Sequence, residues 1–219
     1  MTPDLPHRCF FPLVNLATHG GALAPPSRVM SSTMRQGPIW LVGMMGAGKS
    51  AVGPLLARSL ARGFVDTDVA IERLAGMSIS EIFTAEGEPA FRERERQLIE
   101  ELSVGSDVVA LGGGAIAQPG AAAILERSGT VVYLKASARS LLDRLGECSE
   151  RPLLQGLAPK ERLARVEKLL IERASAYSTA SIAVDTERRT VEAVTDELLR
   201  RLESAMIEDE SPVEKGVGV

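Results

Sequence analysis

The sequence predicts a three-layer α/β domain built on an open parallel sheet, and three observations carry that reading. Five short runs rich in β-branched residues are apolar almost throughout, as strands are when helices cover both faces of their sheet. Longer amphipathic segments separate these runs and supply the crossovers that parallel pairing requires. A glycine-rich loop joins the first run to the first such segment, at the sheet edge where α/β domains hold their ligands.

Taken in order, the strand runs are IWLVG (39–43), GFVDTD (63–68), DVVALGGG (107–114), TVVYLK (130–135) and SIAVDT (181–186). The crossovers fall at 49–62, 69–103, 121–127, 138–145, 160–176 and 191–205, and no internal repeat is visible. Pro54, about a turn into the first crossover, removes a main-chain donor and predicts a local bend. The folded domain is expected over 38–206. Residues 1–37 carry Pro3, Pro6, Pro12, Pro25 and Pro26 without sustained periodicity and read as a disordered extension. Its low acid content also fits an organelle transit peptide, and Met30 or Met34 offers a later start, since the fold needs nothing upstream. Residues 207–219 are polar and read as a flexible tail.

A chain of 219 residues, 45% hydrophobic and 25% charged, suffices for one domain with a substantial core. Its net charge of -4 opposes a broad nucleic-acid surface, so any anion site must be a local pocket. Cys9 and Cys148 imply no disulfide framework and fit a reducing compartment, the cytoplasm. His7 and His19 both precede the first strand, which removes histidine-based triads and zinc sites from the folded body. The chemistry therefore falls to Asp, Glu, Lys, Arg and the backbone. No apolar run reaches the about 18 residues that span a bilayer, so neither membrane nor nucleic acid is an expected partner. A soluble monomer is the expectation.

GMMGAGKS, residues 43–50, satisfies G-x-x-x-x-G-K-[ST] between a strand and a helix. Its glycines let successive N–H groups converge on phosphate oxygens, the helix N-terminus adds positive potential, and Lys49 reaches the outer phosphates. Ser50 is then placed to ligate Mg²⁺. No Asn-Lys-x-Asp base-reading element follows, which favours ATP over GTP. DTD at the end of the second strand run puts Asp66 and Asp68 on one side of an extended backbone at the sheet's carboxyl edge. One carboxylate would serve the metal's water shell and the other the acceptor; alternatively, Asp68 caps a helix beginning at Val69.

GMMGAGKS, DTD, FRERE (91–95), LGGG (111–114), RPLL (151–154) and ERASAY (172–177) occur in the order and approximate spacing of shikimate kinase, and the resemblance runs over residues 39–200. That family is a small P-loop kinase of the nucleoside-monophosphate-kinase type. The resemblance implies a three-layer P-loop NTPase fold with a five-stranded sheet in 2-3-1-4-5 order, a substrate-binding helical section after strand two, and a lid. It implies transfer of the ATP γ-phosphate to the 3-hydroxyl of shikimate, with Mg²⁺, on the route to chorismate and aromatic amino acids. The partners implied are ATP and shikimate.

Carried over residue by residue, Gly46, Ala47, Gly48, Lys49, Ser50 and Ala51 surround the phosphates, and Ser50 with Asp66 holds the metal or its waters. Asp68 resembles the residue that grips the sugar-like hydroxyls and orients or deprotonates the attacking oxygen. Arg92 and Arg173 resemble the two carboxylate clamps, for which a planar guanidinium is suited. Gly113 resembles the glycine that brings a bare N–H to the substrate. Arg151 resembles the lid arginine and, with Lys49 and Asp68, the catalytic set; Arg189 packs near the adenine in some relatives. Other readings stand beside these: an ion pair within RERER for Arg92, a plain strand end for the glycines, and a solvated loop for Arg151. Ala51 stands where relatives often have Thr, leaving only its N–H for phosphate. Ser175 stands where the family usually has Pro, which predicts a looser segment after Arg173. Gluconate kinase is the enzymatic rival, but its pattern does not join DTD, FRERE and LGGG in this order. A silent P-loop binding protein is the other rival, and none of the principal residues is lost here.

Overall fold

The computed structural model describes residues 37–146 and 153–209. β1 (Ile39–Val42), with all four side chains buried, lies mid-sheet between β3 (Val108–Ala110) and β4 (Thr130–Lys135). β2 (Phe64–Asp66) pairs beyond β3 and β5 (Ile182–Asp185) beyond β4, so the parallel order is β2-β3-β1-β4-β5, as expected.

Period-two alternation divides β1 between two cores. Ile39 and Leu41 join the core lined by α1 (Lys49–Ser59), α6 (Ala138–Leu145), α7 (Pro159–Glu172) and α9 (Val191–Asp209). Trp40 and Val42 face the opposite layer, with Ile99 of α4 (Gly87–Leu102), Leu125 of α5 (Ala121–Ser128) and Tyr177 of α8 (Ala174–Tyr177). Buried Trp40 satisfies its indole N–H on Ser128 Oγ at 3.1 Å. A third, smaller core of Ile71, Ile82, Phe91 and Leu98 joins α2 (Thr67–Ala75), α3 (Ile79–Ala85) and α4 into a section of its own.

The crossover expected over 69–103 is thus three helices. Gly76, in the left-handed region at φ 67, ends α2, and a reciprocal Ser78–Glu81 capping box starts α3. Two further differences matter to the site. Thr67 and Asp68 belong to α2 rather than to a strand, and the glycines at 112–114 follow β3 as a loop. The segment expected over 160–176 breaks at Arg173 into α7 and α8; Tyr177 N–H on Arg173 O at 2.9 Å closes that turn, so Ser175 does not leave it open. α1 ends earlier than expected, at Ser59, and runs unbroken through Pro54, which cannot supply an N–H to the carbonyl of Ser50. α9 continues to Asp209, past the expected limit at 206. The extension over 1–36, most of the expected tail, and residues 147–152 with Arg151 and Cys148 lie outside the described residues. No helix among the described residues is long and apolar enough to cross a membrane.

Candidate active site

A cavity of about 480 Å³ opens at the carboxyl edge of the sheet and receives residues from the phosphate loop, α2, α4, the 112–114 loop and the loop after β5. At its floor the chain turns from β1 into α1. Gly46 sits there at φ 79, and a Cβ on it would lie 2.7 Å from Leu141 O of α6, so only glycine lets α6 press this closely on the loop. Buried Lys49 donates from Nζ to Gly43 O at 2.8 Å and Met44 O at 3.2 Å, which holds its ammonium over the loop at the first turn of α1. Ala51 lines the cavity at the first turn of α1, where its N–H lies 3.1 Å from Gly48 O.

Ser50 Oγ donates to Asp66 Oδ2 at 2.6 Å. Asp66 Oδ1 in turn accepts from the N–H of Asp68 at 3.1 Å and of Val69 at 3.5 Å. The cap of α2 is therefore Asp66 and not Asp68, and the two carboxylates do not lie along one extended backbone. The geometry suits Mg²⁺. Donation to Asp66 turns the serine lone pairs away from that carboxylate, both groups are hard oxygen donors, and Mg²⁺ keeps several waters and needs only one or two protein oxygens beside the phosphates. No cluster of three or more His, Cys, Asp or Glu that could hold a metal occurs among the described residues.

The acceptor end is assembled from distant positions. Arg92 of α4 donates to Glu88 at 2.9 Å and to Glu95 at 2.5 Å, so the within-helix pairing read as an alternative is present alongside its place in the cavity. The two pairs differ in weight. Glu88 is half exposed, where such a helix pair contributes about 0.3–0.5 kcal/mol. Glu95 is 1% exposed, and stripping its partner would leave a buried charge, costing about 3–5 kcal/mol. Burial opposes the charge on Arg92, but Glu95 and Glu88 outweigh it and raise its pKa. Glu95 is more deeply buried, so desolvation wins there: burial pushes its pKa up, Arg92 pulls it back, and the Asp68 charge adds to the rise.

Arg173, buried at the α7–α8 junction, donates from Nη1 to Gly113 O at 2.7 Å and lies 3.3 Å from Met44 Sδ. Tyr177 Oη shares the same carbonyl at 3.0 Å while its ring stacks on Tyr133 at 4.6 Å. Burial holds the phenol up at about 12, so it remains a neutral donor. Together they fix the glycine loop by the Gly113 carbonyl. The decisive position is the next one. A Cβ on Gly114 would lie 3.3 Å from Arg173 Nη2 and 3.3 Å from both Nη1 and Nη2 of Arg92. Two guanidinium groups from separate helices thus converge over a residue that has no side chain. On the neighbouring Gly112, a Cβ would collide with the Glu95 carboxylate and lie 2.8 Å from Asp68 Oδ1, so Asp68 closes the other side of this pocket.

Towards the loop after β5, Arg189 lines the cavity and is held by Ala193 O at 2.7 Å, and Arg144 of α6 donates to Thr186 Oγ1 at 2.9 Å, Thr186 O at 2.6 Å and Gly46 O at 3.3 Å. The cavity therefore gathers Lys49, Ser50, Asp66, Asp68, Arg92 and Arg173, with Arg189 at its margin. Arg151 is not among the described residues. Missed from the sequence were Gly114, Glu95, Tyr177 and Arg144. Glu95 had a signal: it sits between Phe91 and Leu98 on the buried face of α4, a charged residue in an apolar stripe.

A phosphate-binding loop and a separate cationic clamp opening on one cavity define a P-loop phosphotransferase with a small anionic acceptor. A family profile described as shikimate kinase matches residues 45–203. The chain belongs to the shikimate kinase family and is an ATP-dependent kinase acting on shikimate. It is 42% identical over 174 residues to shikimate kinase of Chlorobium chlorochromatii (strain CaD3), covering 77% of this chain and 92% of that one. It is 40% identical over 177 residues to the enzyme of Chlorobium luteolum (strain DSM 273 / BCRC 81028 / 2530), covering 78% and 88%. Among solved structures, shikimate kinase from Acinetobacter baumannii in complex with shikimate superposes with a TM-score of 0.73 at 37% identity, covering 78% of this chain and 94% of that one.

Proposed function

We propose that the cavity binds ATP over the phosphate loop and shikimate over the glycines at 112–114, and transfers the γ-phosphoryl group to the 3-hydroxyl of shikimate. The observation that carries this division is the convergence of Arg92 and Arg173 on one point above Gly114, in the same cavity as Lys49. Two guanidinium forks facing one point match a carboxylate, the single charge that shikimate carries. Asp68, beside Gly112, then faces the hydroxyls of the ring. The acceptor oxygen forms its bond to the γ-phosphorus as the bond to the β–γ bridging oxygen breaks; Asp68 orients the hydroxyl and takes its proton. Lys49 lies along the transferring group and offsets charge on its oxygens, the main demand of a loose phosphoryl-transfer transition state.

Ser50 and Asp66 would hold Mg²⁺, which when bound neutralises charge on the β- and γ-phosphate oxygens. The backbone from Gly46 to Gly48 cradles the phosphates, with Ala47 and Ala51 completing the turn around them. Arg189 flanks the base. The resemblance of RPLL alone supports Arg151 as the arginine that covers the phosphates. A monomer in the cytoplasm, where Mg·ATP is supplied, completes the reading. The test is ADP release from Mg·ATP with and without shikimate. Shikimate-dependent release is expected; release indifferent to shikimate would contradict the acceptor site.

A further inference from the structure

We propose that Glu187 is a positioning residue for the nucleotide side of the cavity, holding α6 and its Arg144 against the phosphate loop. Glu187 follows β5 and takes no part in the family motifs quoted above. Its Oε1 accepts the Ser137 N–H at 2.6 Å and its Oε2 accepts the Ser140 hydroxyl at 2.5 Å, so one carboxylate grips the first turn of α6 across 50 and 47 residues of sequence. Ser137, the cap of that helix, adds its own bond from Ser140 N at 3.2 Å.

The far end of α6 returns the grip. Arg144 donates through both terminal nitrogens to Thr186, the residue immediately before Glu187, and reaches Gly46 O of the phosphate loop. Thr186 is itself tied to Lys135 O at 3.1 Å through its hydroxyl and at 2.9 Å through its N–H, so the staple is anchored to the sheet. Leu141 of the same helix presses its carbonyl onto Gly46. Consecutive residues of one loop thus clamp both ends of an eight-residue helix, and that helix forms the wall over Gly46. The Ser140 hydroxyl, and after it the Ser137 N–H, hold the Glu187 carboxyl down at about 2, so the clamp is ionised across the working pH range. The contacts named here run through α6 to Gly46 of the phosphate loop, so the first effect of losing Glu187 falls on the nucleotide rather than on the acceptor.

The inference rests on ATP occupying this cavity, and the experiment separates the two. Steady-state kinetics of the full chain with Mg·ATP and shikimate would be measured for wild type, Glu187→Ala, Glu187→Gln and Ser140→Ala. Glu187→Ala is expected to raise the KM for ATP about fivefold, with the KM for shikimate within about twofold of wild type. Glu187→Gln keeps an acceptor for Ser137 and offers a donor to the Ser140 oxygen, so it restores most of the loss. Ser140→Ala, which leaves the backbone contact intact, gives a smaller rise and serves if Glu187→Ala fails to fold. An unchanged KM for ATP in Glu187→Ala, or an equal rise in both KM values, overturns the proposal. A wild-type enzyme without shikimate-dependent ADP release would instead remove the reading beneath it.

Discussion

The nucleotide end of the cavity is built from one contiguous loop, whereas the acceptor end is assembled from charged side chains that distant parts of the chain bring together. At the first, Gly43 to Ser50 are contiguous, and Lys49 is fixed by carbonyls of its own loop. At the second, Arg92 and Arg173 come from α4 and from the junction after α7; Arg92 is held by Glu95 of its own helix, and Arg173 by the distant Gly113 carbonyl. A contiguous loop keeps its shape through local turns. A clamp of distant residues keeps its shape only while the helices that carry it stay packed: α4 against the small core around Ile71, Ile82 and Phe91, and the α7–α8 junction against the two main cores through Leu169 and Tyr177. The two ends should therefore fail differently.

Lys49→Met has the largest expected effect. Losing the cation beside the transferring phosphoryl group should lower kcat by about 10³-fold, while shikimate binding measured by calorimetry stays intact. A variant with near-normal turnover would contradict the phosphate role. Arg92→Ala should raise the KM for shikimate by about 100-fold, in line with about 2–3 kcal/mol for a charge-assisted contact, and leave nucleotide affinity alone. Because it also strands buried Glu95, Arg92→Ala combined with Glu95→Gln should recover stability without recovering shikimate affinity; recovery of both would reassign Arg92 to structure. Gly114→Ala places a methyl group in the space between the guanidinium forks and should raise the KM for shikimate by about tenfold at unchanged KM for ATP. An equal effect on both substrates would mean that the anion site lies elsewhere.

Smallest is a pH effect confined to the acceptor end. The Glu95 pKa is raised in the folded state, chiefly by burial, so the group binds its proton more tightly folded than unfolded. Its stabilising contribution is present below the unfolded value of about 4.3 and is lost as pH rises through the folded value. Wild type should then lose stability relative to Glu95→Gln as pH climbs from about 4, read from urea unfolding at a series of pH values. Parallel curves would show that Glu95 is ionised without cost.

The same contrast explains what the sequence disclosed. The five parallel strands follow from apolar runs and the phosphate loop from one motif whose meaning is local, whereas the strand order came only with the family resemblance. Asp66 and Asp68 both line the cavity; Asp66 ends β2 as the sequence indicates, but Asp68 lies in α2, because the strand-end carboxylate of Asp66 is also the cap that starts that helix. The interruptions of the long crossover were visible as Gly76 and Ser78-x-x-Glu81, signals outweighed by the amphipathic pattern running across them. Gly114 was hidden among three glycines, since only the tertiary approach of Arg92 and Arg173 distinguishes one from another. Arg144 was hidden for a related reason: its partners, Thr186 and Gly46, lie 42 and 98 residues away.

The central claim is tested most directly by the crystal structure of this chain with shikimate and a non-hydrolysable ATP analogue bound together. The account predicts the ring carboxylate between Arg92 and Arg173 above Gly114, with a hydroxyl turned towards Asp68 and the analogue's terminal phosphate beside Lys49. A carboxylate bound away from both arginines, or a ring seated on the far side of the phosphate loop, would contradict it.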